Sequence, residues 1–231
     1  MNLNKSTWTQ QDIREFDKCL ESIKREDKIE FSKKTVNTQM DVLGINLPTC
    51  KEIAKKIHEG NFLSFLEKND YKYFENTIVS AFLINYIKDV TEKEKFINML
   101  YMDNWATVDT LKYNIKKQEK EFLGLSKKYI KSKEAFKRRV GVRILFSYTG
   151  TEYVYEIFKI IDTIYKEKEY YVNMAVAWLC CELMIKNRDK FLEYLNHHHL
   201  NDFTINKAIS KCRDSFRVSE KDKEMLLKYK V

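Results

Sequence analysis

Between Met102 and Thr110 the chain runs MDNWATVDT, with Trp105 and Asp109 four residues apart. On a helix each residue turns by about 100°, so side chains at that spacing stand on one side, a turn apart. The chemistry open to such a pair concerns positive charge. A fixed carboxylate stabilises a cation as it develops, and the face of an indole attracts cationic or electron-poor groups. With Asp103 or Asn104 as N-cap and a helix over 104–115, Val108, Leu111 and Ile115 form the core stripe. Trp105 falls off the centre of that stripe, and Asp109 lies further round on the same side. Two readings stay open. Either the pair faces a ligand at the edge of the buried face, or Trp105 packs under a neighbouring helix and Asp109 pairs with a lysine.

A second tryptophan poses the same question. In YYVNMAVAWLCCELMIKNRD, Val172, Ala175, Val176, Leu179 and Leu183 make the apolar stripe. Trp178 points elsewhere, with Tyr171, Met174 and Glu182 on its side. The segment is apolar nearly all round, as an inner helix is. Trp178 therefore either packs between layers or protrudes into a groove. Between the two tryptophans lies KSKEAFKRRVGVRILFSY, which holds Arg138, Arg139 and Arg143, three of the eight arginines. Arg139 and Arg143 share a face. The planar guanidinium fork is suited to clamping phosphate, and a solvated basic face is the plain alternative.

These residues need elements to position them, and the pattern is helical almost throughout. One proline and five glycines are too few for the turns of a β protein of 231 residues. The apolar spacing predicts helices over 8–26, 47–58, 61–68, 71–88, 92–101, 104–115, 118–131, 133–147, 151–165, 170–186, 188–196, 203–213 and 219–228. Pro48 suits the start of a helix, and 27–46 has the composition of a loop. Short links between many helices imply antiparallel neighbours. The expected fold is all-α, with HEAT-like helical pairs stacked into a solenoid as a single domain over 1–231; an irregular bundle is the alternative.

Composition narrows the function classes. The chain is 44% hydrophobic and 33% charged, which suits a globular protein. Lysine and arginine total 42 against 34 acids, a formal charge of +8. That excess fits a polyanionic partner, and equally a lysine-rich proteome. No apolar run is long enough to span a bilayer, and MNLNKSTWTQQDIREF lacks the apolar core of a leader, so a cytoplasmic protein is expected. The five cysteines, without a C-x-x-C pair, are expected to be reduced, with Cys180 and Cys181 as small buried hydrophobes. Three adjacent histidines, His197 to His199, cannot share one metal from a helix and suit a loop tip. There is no glycine-rich phosphate loop, no nucleophile–His–acid order and no H-E-x-x-H. Neither a metal nor a cofactor is expected.

Taken in order, D-N-W-x-x-V-D, the Arg-Arg helix and Y-Y-V-x-M-A-V-A-W resemble the AlkD-like DNA alkylation repair proteins. LGINLPTCKEIAKKI (Leu43 to Ile57) and the C-terminal NDFTINKAISKCRDSFRVSEKDKEML resemble them too, so the likeness covers nearly the whole chain. It implies a HEAT-like superhelix with a concave basic groove that binds duplex DNA as a monomer. It implies a glycosylase that excises N3- and N7-alkylated purines. In that scheme Asp109 is the catalytic aspartate, Trp105 and Trp178 contact the lesion-bearing nucleotide, and Arg139 is an arginine of the groove, with Arg138 and Arg143 beside it. It implies no need for a pocket that receives an extruded base, and no sequence signal announces one. The chain departs from the pattern at Cys181, where active relatives carry arginine, and at Asn206 and Lys207. A family member that binds DNA structure without excision, or a HEAT-like protein scaffold, are therefore the alternatives.

Overall fold

A computed structural model describes residues 1–231. The fold is all-α. The helices are α1 (Gln10–Ser22), α2 (Glu26–Val36), α3 (Leu47–His58), α4 (Phe62–Lys68), α5 (Phe74–Ile84), α6 (Val90–Met99) and α7 (Trp105–Thr110). They continue with α8 (Glu119–Ile130), α9 (Ala135–Leu145), α10 (Val154–Asp162), α11 (Tyr170–Lys186), α12 (Arg188–Leu195), α13 (Asp202–Asp214) and α14 (Glu220–Leu226). Short 3-10 turns, Phe146–Tyr148 and Leu227–Tyr229, follow α9 and α14. An isolated parallel bridge between Asp41 and Tyr73 is the single β-type contact. No helix is long and apolar enough to cross a membrane.

Many helices begin where a side chain can accept from a free N–H of the first turn. Thr9 and Asp12 form a reciprocal capping box at α1. Asn46, Asn61, Asp89, Asn104, Asn201 and Ser219 cap α3, α4, α6, α7, α13 and α14. The spacing predicts α3 and α11 to the residue, and most other ends within a few positions. Two expectations fail. The stretch expected as a loop contains α2, and α7 stops at Thr110 instead of continuing to Ile115.

The chain divides into two compact units, Met1–Lys112 and Tyr113–Val231. In the first, Trp8, Phe16 and Phe65 meet edge to face with centroids 4.9 to 6.2 Å apart, and all three are buried. Each such ring contributes roughly 2–3 kcal/mol by leaving water. Helix α5 is buried almost all round and packs on α3 and α7. Its Glu75 is fully buried, and its carboxylate accepts from the backbone N–H of Leu43 (3.0 Å) and Ile45 (3.2 Å). Burial pushes that carboxyl above its usual range, against the pull of those backbone donors. The clamped segment turns through Gly44, whose φ of +74° favours glycine.

In the second unit α11 is the central helix, packed on α9, α12 and α13. Cys180 and Cys181 are buried on it, as their apolar setting predicts. Helices α8 and α9 approach closely at Gly141, where a Cβ would lie 2.8 to 2.9 Å from Ile130 and the Ser126 carbonyl. The Ser126 hydroxyl donates to the Gly141 carbonyl at 2.8 Å in the same contact. The histidines of 197–199 lie in the link between α12 and α13, where the His199 N–H and ring meet the Asp162 carboxylate at 3.1 and 3.3 Å.

Candidate functional site

Helix α7 has six residues, less than two turns, and would not persist alone. It is held at both ends. Asn104 accepts from the N–H of Thr107 at 2.9 Å, and its own amide donates to Asp103 at 3.0 Å. The Asp103 carboxylate accepts from the Thr38 hydroxyl (2.7 Å) and the Gln39 N–H (2.8 Å), which ties the helix start to the segment after α2. Inside, the Thr77 and Thr107 hydroxyls pair at 2.7 Å. At the far end the Asn85 amide donates to the Thr110 carbonyl (2.9 Å) and accepts from the Lys112 N–H (2.7 Å). This side chain takes the place of the next helical bonds, and Leu111 turns extended there. The buried Lys93 ammonium donates to the Ile84 and Lys112 carbonyls at 2.9 and 3.3 Å. Burial lowers its pKa to about 8.

On this pinned helix Val108 is fully buried and faces the core, while Trp105 and Asp109 are half-buried on another side. Both line one cavity of about 370 Å³, within the first unit. Its opposite wall is α2, through Phe31, Ser32, Thr35 and Val36. Ile45, Asn46, Leu47 and Phe74 complete it. The Trp105 indole N–H donates to the Thr35 carbonyl at 3.2 Å, so the ring is fixed between α7 and the last turn of α2. No sequence signal announces this cavity.

The remaining candidates lie in the second unit, and they separate from one another. Arg138 forms a forked pair with Glu167, at 2.6 and 3.0 Å, and also donates to the Ser132 and Lys133 carbonyls. Burial pushes the Glu167 carboxyl up. The Arg138 guanidinium and nearby backbone N–H groups together outweigh it and hold the carboxyl below its usual value. Arg139 is 5% exposed and donates to the Tyr171 carbonyl, joining α9 to α11. Arg143 is half-buried, with its guanidinium carbon 4.2 Å from the Phe146 ring centroid and 4.7 Å from that of Trp178. Trp178 is the exposed residue of an otherwise buried stretch, at 36%, and meets Phe146 edge to face. The arginine that shares a surface with Trp178 is therefore Arg143; Arg139 turns inward despite its four-residue spacing from Arg143.

The residues that sequence reasoning passes over are Phe31, Ser32 and Thr35 on α2, and Phe146. Signals for α2 exist. Glu26 and Asp27 stand in its first turn and Lys33 and Lys34 in its last, as the helix dipole favours, and Asn37 closes it in the left-handed conformation.

Fold and site together define an all-helical protein with an acid–aromatic cleft in one unit and an arginine–aromatic cluster in the other. The family model described as DNA alkylation repair enzyme matches residues 16–212, and the chain belongs to that family. The match spans most of both units. Membership carries a role in the repair of alkylated DNA, as an enzyme whose partner is DNA. None of the curated proteins matches the chain significantly.

Proposed function

We propose that the protein is a DNA glycosylase that hydrolyses the N-glycosidic bond of N3- and N7-alkylated purines in duplex DNA. The observation that carries this reading is the shared setting of Trp105 and Asp109, facing one cleft from a helix pinned at both ends. Alkylation puts a positive charge on the purine, so its bond to the sugar breaks with the electron pair leaving on the base. The base departs neutral, and the charge passes to an oxocarbenium-like sugar. The Asp109 carboxylate stabilises that charge electrostatically and orients a water whose oxygen bonds to the sugar carbon; the released proton passes to solvent. The Trp105 indole offers its π-face to the cationic nucleotide.

Trp178 and Arg143 supply a second contact with the duplex, an aromatic face beside a guanidinium suited to phosphate. Arg138 and Arg139, engaged with Glu167 and Tyr171, support α9 and α11 in this scheme. No cofactor or metal enters the reaction. The protein acts as a cytoplasmic monomer, with HEAT-like pairing of its helices.

The test is base release from duplex DNA carrying N7-methylguanine or N3-methyladenine, at low salt. Free methylated base and an abasic site support excision. Tight duplex binding without release assigns the chain to the alternative, a family member that binds DNA without cutting the bond. Absence of both leaves a helical scaffold.

A further inference from the structure

We propose that Cys181 and Cys212 are a peroxide-sensitive dithiol, the site at which hydrogen peroxide links α11 to α13 through a disulfide. Neither residue lines the cleft beside Asp109, so the pair stands whether or not the chain excises bases. Helices α11 and α13 pack side by side within the second unit. Their register is set near their starts, where the Asn173 side-chain oxygen accepts from the Thr204 hydroxyl at 2.8 Å and from the Asn201 amide at 3.3 Å. Cys181 follows Asn173 by eight residues, and Cys212 follows Thr204 by eight. The same register, carried two turns on, brings the two thiols face to face. They are in hydrogen-bond contact there, with Cys212 donating to Cys181. Just past them Arg217 forks onto Glu182. A dithiol in contact and held on both sides meets the geometric demand of a disulfide without movement of the helices as bodies.

The two thiols also differ in the way that an attacking and a resolving cysteine must. The hydrogen bond from Cys212 favours a thiolate at Cys181, and Arg217 and Lys211 add to it. Together they outweigh burial and the Glu182 carboxylate, and hold Cys181 below the usual thiol value. The same bond, with burial, pushes Cys212 up. Cys181 is 4% exposed and Cys212 1%, so a small oxidant meets Cys181 first. The Cys181 sulfur bonds to one peroxide oxygen, the O–O bond breaks, and the other oxygen leaves as water, which makes a sulfenic acid. The Cys212 sulfur then bonds to that of Cys181, the S–O bond breaks, and the hydroxyl departs with the Cys212 proton as a second water. The two thiols lose two electrons and one peroxide becomes two waters. Cys180 is no rival, because neighbours on a helix point about 100° apart and burial raises its thiol. A pair of this kind rests reduced and is oxidised transiently.

The experiment treats the reduced full chain with hydrogen peroxide, blocks remaining thiols with N-ethylmaleimide, and maps the peptides by mass spectrometry without reduction. We expect one cross-link within the chain, Cys181 to Cys212, reversed by dithiothreitol. It should raise the melting temperature by several degrees, since it closes the chain through α12. The same treatment in urea should give mixed pairs. Cys212→Ala should leave Cys181 to proceed to the sulfinic acid, and Cys181→Ala should leave Cys212 a thiol. Both thiols recovered intact while Cys19 is oxidised overturns the site. So does a link from Cys181 to Cys180 or to a second chain, an unchanged melting temperature, or oxidation of Cys212 in Cys181→Ala. The map of the parent protein decides the matter even where a variant fails to fold.

Discussion

The indole N–H of Trp105 donates to the backbone carbonyl of Thr35 at 3.2 Å, across a separation of 70 residues. That carbonyl belongs to the last turn of α2, where helical carbonyls have no partner of their own. One bond thus satisfies a helix end and fixes the ring that walls the cleft. Trp105→Phe keeps an aromatic face and removes the donor. It should cost about 1 kcal/mol in stability by thermal or urea unfolding. Base release should slow about tenfold, because a loosened ring no longer holds the nucleotide in place.

Gly44 is a second point on which the cleft depends. Its φ is +74°, and a Cβ there would lie 2.5 Å from the Arg25 carbonyl just before α2. Gly44→Ala should destabilise the protein by roughly 1–3 kcal/mol and displace the start of α2. Urea unfolding measures the first effect, and the rate of base release from duplex DNA reads the second through the cleft that α2 walls.

The three arginines should part company in DNA binding. Arg143→Ala should weaken duplex affinity several-fold and lower the salt slope by about one, as loss of a phosphate contact does. Arg138→Ala and Arg139→Ala should lower the melting temperature and leave the salt slope in place, since those side chains serve Glu167 and Tyr171. Filter binding at several salt concentrations separates the cases.

Glu167 gives a pH signature. Its folded pKa lies below the ordinary carboxylate value, so its contribution to stability is complete above that value and is lost as pH falls through the folded one. Acid unfolding should therefore steepen below the ordinary glutamate range. Glu167→Gln should remove that part of the slope and cost roughly 2 kcal/mol at neutral pH, because Arg138 keeps its charge without a counterion.

The parts that were legible in the sequence are those built on burial. Helix α3 follows from Pro48 at its start and from apolar spacing, α11 from apolar spacing alone, and Trp105 with Asp109 from four-residue geometry. Helix α2 escapes because the signal used for helices is a buried stripe, and only Val36 of α2 is buried. Its inner side faces a cavity, so the residues there are under no demand to be uniformly apolar. Helix α7 runs short for a tertiary reason: the Asn85 amide, 25 residues upstream, takes the groups that would continue it. Helical spacing places Arg139 and Arg143 on one face and is silent on depth. Arg139 bonds to the Tyr171 carbonyl of a neighbouring helix, and no local pattern encodes that partner.

The most direct measurement is single-turnover release of N7-methylguanine from duplex DNA by the parent protein and by Asp109→Asn, with duplex affinity and melting temperature recorded for both. The predicted result is release that falls by at least about a hundredfold in Asp109→Asn, the scale on which one electrostatic group acts in a transition state, with affinity and melting nearly unchanged. Equal release by the two proteins would contradict the role given to Asp109 and, with it, the account of the cleft.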